Sequence, residues 1–383
     1  MGRFGTDDLP GLLEAQEAPC VSIYLPTDRT GAQSQRDQIK LKNLIKDAEE
    51  RMASGGVRSP DARAMLQPAQ DFLRDGSLWR TLEDGLALFI SPRQFKHFTF
   101  PDAAPEIVVV ADRFHLKPLL AVLGGDTRFY LLSASQNSVK LYEATRNSVD
   151  EVQLKDMPKS LEEALKYDDP EQQVRFRTTG RAGSGQRVSV GYGSGVTADE
   201  HKSNLLRFFH LLEDSLKPFL AGKNEPLVFA SVDYLFPIFK QANTYPNLLP
   251  DNVAGNPESL GVSEIHKQAW SLIQIRHAKA REQAAGRYRQ LAGTGRTLDG
   301  VADVVRAAAV GRIDTLFVPR GVQVWGAYDK TSGLVELHDE PAPRDQDVLD
   351  LAAVQTLANG GTVFAVEEQE VPGRNTVAAV LRY

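Results

Sequence analysis

The chain is 383 residues long, with 44 lysines and arginines against 50 aspartates and glutamates, a formal net charge of −6, 42% hydrophobic residues and 25% charged ones. That length exceeds one ordinary core and predicts two or three domains. The composition excludes a chain disordered throughout and a general nucleic-acid coat, and leaves any RNA contact to a local basic patch.

The single cysteine, Cys20, excludes a disulfide framework within the chain and suits a reducing compartment. No run has the length of a signal-peptide core or of a membrane span, so the expectation is a cytoplasmic protein without a membrane partner.

In chain order, Pro19 to Pro26 (PCVSIYLP) reads as a strand entering a turn, with Cys20 as a buried structural thiol. Thr27 to Asp37 is polar. Leu41, Leu44, Ile45, Ala48 and Met52 then recur at three- and four-residue spacing and predict a helix that Gly55-Gly56 ends. A second helix is expected from Pro60 to about Arg74, strands at Gly85–Ser91, Lys96–Phe100 and Glu106–Asp112, and a short helix near Lys117 to Val122. Gly124-Gly125-Asp126 marks a domain boundary. Strand-like runs at Arg128–Ser135, Val139–Ala144 and Val149–Leu154, joined at Gln136-Asn137 and Arg146-Asn147, predict an antiparallel meander.

Polar sequence fills Lys155 to Val196, a length that in a compact domain marks a functional or disordered loop. Thr197-x-x-Glu200 has capping-box spacing, and Leu205, Phe209, Leu212, Leu216 and Phe219 form one apolar helix face ended by Gly222. A buried strand follows at Pro226–Val232, a helix at Tyr234–Ala242, and a long charged helix at Ser263–Leu291. The remainder alternates: helix Leu298–Ala309, strands at Thr315–Val318, Val324–Tyr328 and Leu334–His338, helix Val348–Asn359, and strands at Thr362–Val366 and Thr376–Arg382. The fold class is therefore α/β multi-domain. The expected division is an N-terminal α+β domain over 1–125, a central domain over 126–262, a connecting helix over 263–295 and an α/β C-terminal domain over 296–383.

The long loop carries the strongest chemical signal. Arg175, Arg177, Arg181 and Arg187 lie in it with Gly180, Gly183, Gly185, Gly191, Gly193 and Gly195, and no acidic residue stands between Gln172 and Ala198. Glycines let a backbone approach a partner closely, and arginines favour phosphate. The four arginines are candidate RNA-binding residues; a surface loop with incidental arginines is the plain alternative. A phosphate-binding P-loop is disfavoured, because Gln186 and Arg187 stand where Lys and Ser or Thr are required after Gly180-x-x-x-x-Gly185. The seven histidines form no H-x-x-x-H or H-E-x-x-H pair, and no G-x-S-x-G elbow occurs, so neither a metal nor a cofactor is expected.

The order of segments resembles the archaeo-eukaryotic release factor and Pelota superfamily in its bacterial branch. Ile107-Val-Val-Val-Ala-Asp-Arg-Phe-His-Leu-Lys-Pro-Leu-Leu resembles the close of the family's first domain, and Arg128-Phe-Tyr-Leu-Leu-Ser-Ala-Ser-Gln-Asn-Ser-Val-Lys-Leu-Tyr the opening strands of its central domain. Gly286-Arg-Tyr resembles the junction into the third domain, and Val304-Val-Arg-Ala-Ala-Ala-Val-Gly-Arg-Ile-Asp-Thr-Leu-Phe-Val its opening helix and strand. The resemblance implies a ribonuclease-H-like central domain and an L7Ae-like C-terminal domain.

Ser184-Gly185-Gln186 occupies the place of the family's Gly-Gly-Gln motif, whose glutamine helps position the water that hydrolyses peptidyl-tRNA. The resemblance thus makes Gly185 and Gln186 candidate catalytic residues, while Ser184 departs from the motif. The codon-reading Asn-Ile-Lys-Ser loop is missing; Thr30-Gly-Ala-Gln-Ser stands in that region. The implied function is a ribosome-associated factor in the A site, in rescue or in protection of idle ribosomes. It would be a monomer touching rRNA and peptidyl-tRNA, with a translational GTPase as partner. A peptidyl-tRNA hydrolase using Gln186, and a non-ribosomal binding protein that kept the fold, stay open as alternatives.

Overall fold

The structure, a computed structural model, describes residues 4, 8–14, 17–28, 34–80, 82–100, 104–120, 128–166, 198–340, 342 and 345–383. It divides into two compact units, residues 1–125 with 278–383, and residues 126–277.

In the first unit, β1 (Cys20–Pro26), β2 (Gly85–Ser91), β3 (Gln94–Phe100) and β4 (Ile107–Ala111) form an antiparallel sheet in the order β3-β2-β1-β4. Alternation divides each strand between two cores. Val21, Ile23 and Leu25 with Leu86, Leu88 and Ile90 meet the helices Ser34–Ser54 and Ser59–Arg74. Cys20, Tyr24, Ala87 and Phe89 face Phe98, Phe100 and Phe114. Both faces are covered, so the strands read as continuous apolar runs. The expected face Leu41, Leu44, Ile45, Ala48 and Met52 is buried, each such side chain stabilising by roughly 1.5–3 kcal/mol when fully covered, less for alanine. Gly56, at φ 93°, closes that helix: its N–H donates to Ala53 O and the Val57 N–H to Met52 O, both at 3.0 Å.

The C-terminal part of this unit has a second sheet, β10 (Thr297–Leu298), β11 (Ile313–Pro319), β15 (Thr362–Val366) and β16 (Ala378–Leu381), in the order β10-β16-β11-β15. β11 and β15 are parallel, and the helix Val348–Ala358 lies between them in sequence. A smaller sheet pairs β12 (Trp325–Tyr328) with β13 (Val335–His338) and β14 (Gln346–Asp347). The helix expected from Leu298 begins instead at Val301 after Gly300, because Thr297 and Leu298 pair with Val380 and Ala379. A backbone already engaged in a sheet cannot also start a helix.

The second unit holds a five-stranded sheet in the order β7-β6-β5-β8-β9, with β5 (Phe129–Ala134), β6 (Val139–Ala144), β7 (Val149–Val152), β8 (Leu227–Ser231) and β9 (Val253–Ala254). The meander is antiparallel, whereas β5–β8 and β8–β9 are parallel. Its two turns share one device. The Ser135 hydroxyl accepts from the N–H groups of Asn137 and Ser138 (3.1 and 2.9 Å), and the Thr145 hydroxyl from those of Asn147 and Ser148 (3.4 and 3.2 Å). One sheet face packs on the helices Ala198–Leu220 and Leu235–Ala242, burying Leu205, Phe209, Leu212 and Leu216, with Phe219 only partly covered. The other takes Ile265, Ala269 and Ile273 of the helix Val262–Leu291. The α/β multi-domain class expected from the sequence is what the molecule has.

Candidate functional site

Gly185 and Gln186, with Ser184 beside them, and Arg175, Arg177, Arg181 and Arg187 lie outside the described residues, as do Thr197 of the expected capping box, the Gly124-Gly125-Asp126 turn and Thr30 to Gln33. The frame on either side of the Gly/Arg-rich segment is described. On the entering side, Leu161 N–H donates to Gln136 O at 2.7 Å and Val139 N–H to Lys159 O at 2.9 Å, tying the chain to the β5–β6 turn. Ser160 caps the helix Leu161–Lys166, its hydroxyl accepting from Glu163 N–H at 3.1 Å, while the Glu163 carboxylate accepts from Lys159 N–H at 2.8 Å. Ala164 sits in the core of the unit. On the leaving side stands the helix Ala198–Leu220, 23 residues long and buried along Leu205 to Leu216.

Glu213 of that helix is 4% exposed and accepts from the Thr244 N–H at 2.9 Å and from the Thr244 hydroxyl. It ties the helix to the turn after Ala242. In sequence it reads as one more charged helix residue, and no signal marked it.

The C-terminal ends of the parallel strands β5, β8 and β9 are where ligands gather in sheets of this kind. There the Ser135 hydroxyl donates to Glu258, the Asn137 side chain reaches the same carboxylate at 3.4 Å, and Gln136 donates to the Tyr234 hydroxyl at 2.8 Å. Glu258 is thus held by hydroxyl and amide groups. Among the described residues no group of three His, Cys, Asp or Glu side chains could hold a metal ion, and none of the helices is long and apolar enough to cross a membrane.

A buried polar cluster in the first unit has no counterpart in the sequence reading. Lys117, fully buried, donates to Asp347 and to Val322 O. The Asp350 carboxylate accepts from the N–H groups of Leu116 (2.6 Å) and Lys117 (2.5 Å) and lies 3.5 Å from His115 Nδ1. Arg113 donates twice to Gln346 Oε1, at 3.0 and 2.7 Å, and burial pushes its guanidinium down against Asp350 and Asp112. The Tyr24 hydroxyl donates to His115 O at 2.6 Å; burial and then Asp350 hold that phenol well above its ordinary range. This cluster joins segments more than 200 residues apart, so spacing could not reveal it. Cys20, as expected, is a buried thiol, pushed up to about 11 by burial and then by Asp112.

Residues 129–275 match the model of bacterial archaeo-eukaryotic release factor family 7. The match begins at β5, ends within the helix Val262–Leu291 and encloses the Gly/Arg-rich segment. Over that segment the chain is similar to the bacterial branch of the archaeo-eukaryotic release factor superfamily, the resemblance that the order of its motifs carries. No curated protein matches the chain.

Solved structures similar to it include the archaeal translation termination factor aRF1, at 15% identity over 100% of this chain and 99% of that one, TM-score 0.23. Dom34 of S. cerevisiae, a translation termination-like factor, is 13% identical over 78% of this chain and 80% of its own, TM-score 0.40. Archaeal Pelota, in a model of its ribosome-bound form with ABCE1, is 11% identical over 100% and 95%, TM-score 0.38. Likenesses this weak carry nothing further about fold or function.

Proposed function

We propose that this protein is a ribosome-associated translation factor resembling release factors and Pelota, which enters the A site to rescue stalled ribosomes or protect idle ones and reads no stop codon. The observation that carries this reading is the family match over residues 129–275, because it encloses the cationic, glycine-rich segment whose Ser184-Gly185-Gln186 resembles the family's Gly-Gly-Gln motif.

The strand order β7-β6-β5-β8-β9, antiparallel then parallel, supports a ribonuclease-H-like central domain. The parallel β11–β15 pair flanked by antiparallel β16 supports an L7Ae-like C-terminal domain. In this reading Arg175, Arg177, Arg181 and Arg187 meet RNA phosphates through charge and guanidinium hydrogen bonds. In the hydrolase alternative Gln186 would reach the ester of peptidyl-tRNA, where backbone N–H groups face developing negative charge. The protein acts as a monomer in the cytoplasm with a translational GTPase as partner.

Competition tests it. Full-length protein added to purified ribosomes with peptidyl-tRNA in the P site and an empty A site should block delivery of aminoacyl-tRNA; unimpeded delivery contradicts the reading. Release of labelled peptide that disappears in Gln186→Ala would assign the hydrolase alternative instead.

A further inference from the structure

We propose that the outer edge of β4 binds an extended, basic segment of another protein as an added strand. Among the described residues β4 ends its sheet: it pairs with β1 over five residues, Ile107 to Ala111, and with no other strand. An edge strand presents unpaired N–H and C=O groups to other chains, and proteins commonly blunt it with lysine, proline or a bulge. β4 reads Ile-Val-Val-Val-Ala, with none of these, and its register with β1 is unbroken.

A cleft of about 630 Å³ opens beside this edge, within the ~300–1,000 Å³ typical of ligand sites. Val109, Val110, Ala111 and Asp112 all line it. Side chains of a strand alternate between faces. Four consecutive lining residues therefore place the backbone edge, and not one face of the sheet, against the cleft. Val110 packs on the helix layer, while Val109 and Ala111 are buried on the opposite side, as that geometry requires. The outer edge of β4 therefore faces this cleft.

The cleft selects by charge. Among the described residues Asp47, Glu50, Asp112 and Asp345 line it, with Arg51 as the cation. Asp47 takes Arg51 at 2.9 Å, and Asp345 accepts from His338 at 2.7 Å and from the Ala342 N–H at 2.8 Å. Glu50 and Asp112 stand exposed at the rim. The link from Glu50 to Lys46, 3.4 Å with both side chains largely in water, competes weakly. Half-buried Trp325 adds an aromatic wall suited to a guanidinium. A polyamine would satisfy the charge but supplies no carbonyl and amide row for the edge, so the occupant is a polypeptide with lysine or arginine alternating with apolar residues.

The test uses the full chain and the peptide acetyl-Arg-Val-Lys-Val-Arg-amide. The proposal expects calorimetric binding, slowed amide exchange over residues 107–112, and loss when the peptide is N-methylated at alternate positions. Glu50→Lys with Asp112→Lys should weaken binding by about tenfold or more, with the variant's melting curve confirming that it folds. Absence of binding, equal binding of the N-methylated peptide, or equal binding of spermine without protection over 107–112 overturns it. The N-methylated peptide and spermine need no variant, so misfolding of the double variant leaves the outcome decided.

Discussion

Lys117 donates to Asp347 across 230 residues of sequence, and neither side chain has any exposure. A buried charge that loses its partner costs about 3–5 kcal/mol, whereas apolar replacement of both partners is often neutral. Asp347 also caps the helix Val348–Ala358, accepting from Leu349 N–H at 3.0 Å, and accepts from Val324 N–H at 3.2 Å. Asp347→Asn can keep those two bonds at Oδ1, and it replaces Oδ2, which accepts from Lys117, with an amide NH2 that cannot accept.

The expected outcome is a loss of roughly 3 kcal/mol or more in Asp347→Asn, which leaves Lys117 buried without its carboxylate, and partial recovery in Lys117→Met/Asp347→Asn. Urea unfolding of the two single variants and the double variant measures the coupling. Strict additivity would contradict it.

His97 lies between the rings of Phe72 and Phe95, with centroids at 5.0 and 5.7 Å, and burial lowers its pKa. The unfolded chain therefore takes up a proton at higher pH than the folded one. This stability is whole above about pH 6.5, the ordinary histidine value, and is lost as pH falls through the lower folded value. His277 is lowered in the same direction, by burial and then by Arg276. Denaturation at pH 7.5 and 5.5 should show wild type losing more stability than His97→Gln over that interval, with the His277 contribution left in both.

The Cys20 thiol is buried and pushed up to about 11, so almost none of it is thiolate near neutrality. Native protein at pH 7.5 should resist iodoacetamide and label readily in urea. Rapid labelling of the folded chain would contradict that burial.

In the proposed reading Ser184 stands where the family's motif has glycine. Ser184→Gly is expected to raise release of peptide from stalled ribosomes above the wild-type level, and Gln186→Ala added to it to remove that gain. An unchanged release rate in Ser184→Gly would remove the serine as the obstacle.

Local order was legible where local rules decide it. The face Leu41, Leu44, Ile45, Ala48 and Met52 is buried as its spacing required, and the meander turned where short polar pairs stood between β-rich runs. Leu298 went to a strand because β16, some eighty residues on, supplied a partner that no local pattern contains. Lys117 carries the same lesson more sharply: at the start of a short helix a lysine reads as solvated, and only the fold brings Asp347 to it. The Gly/Arg-rich segment is the reverse case: it stands out by composition and motif order, and its residues lie outside the described ones.

The most direct measurement is co-sedimentation of the full-length protein with purified ribosomes across a salt series. The account predicts that the protein pellets with ribosomes at low salt, that binding falls steeply as salt rises, and that changing Arg175, Arg177, Arg181 and Arg187 together to alanine weakens binding and flattens the fall. Protein that stays in the supernatant at low salt, or that pellets equally with and without those arginines, would contradict it.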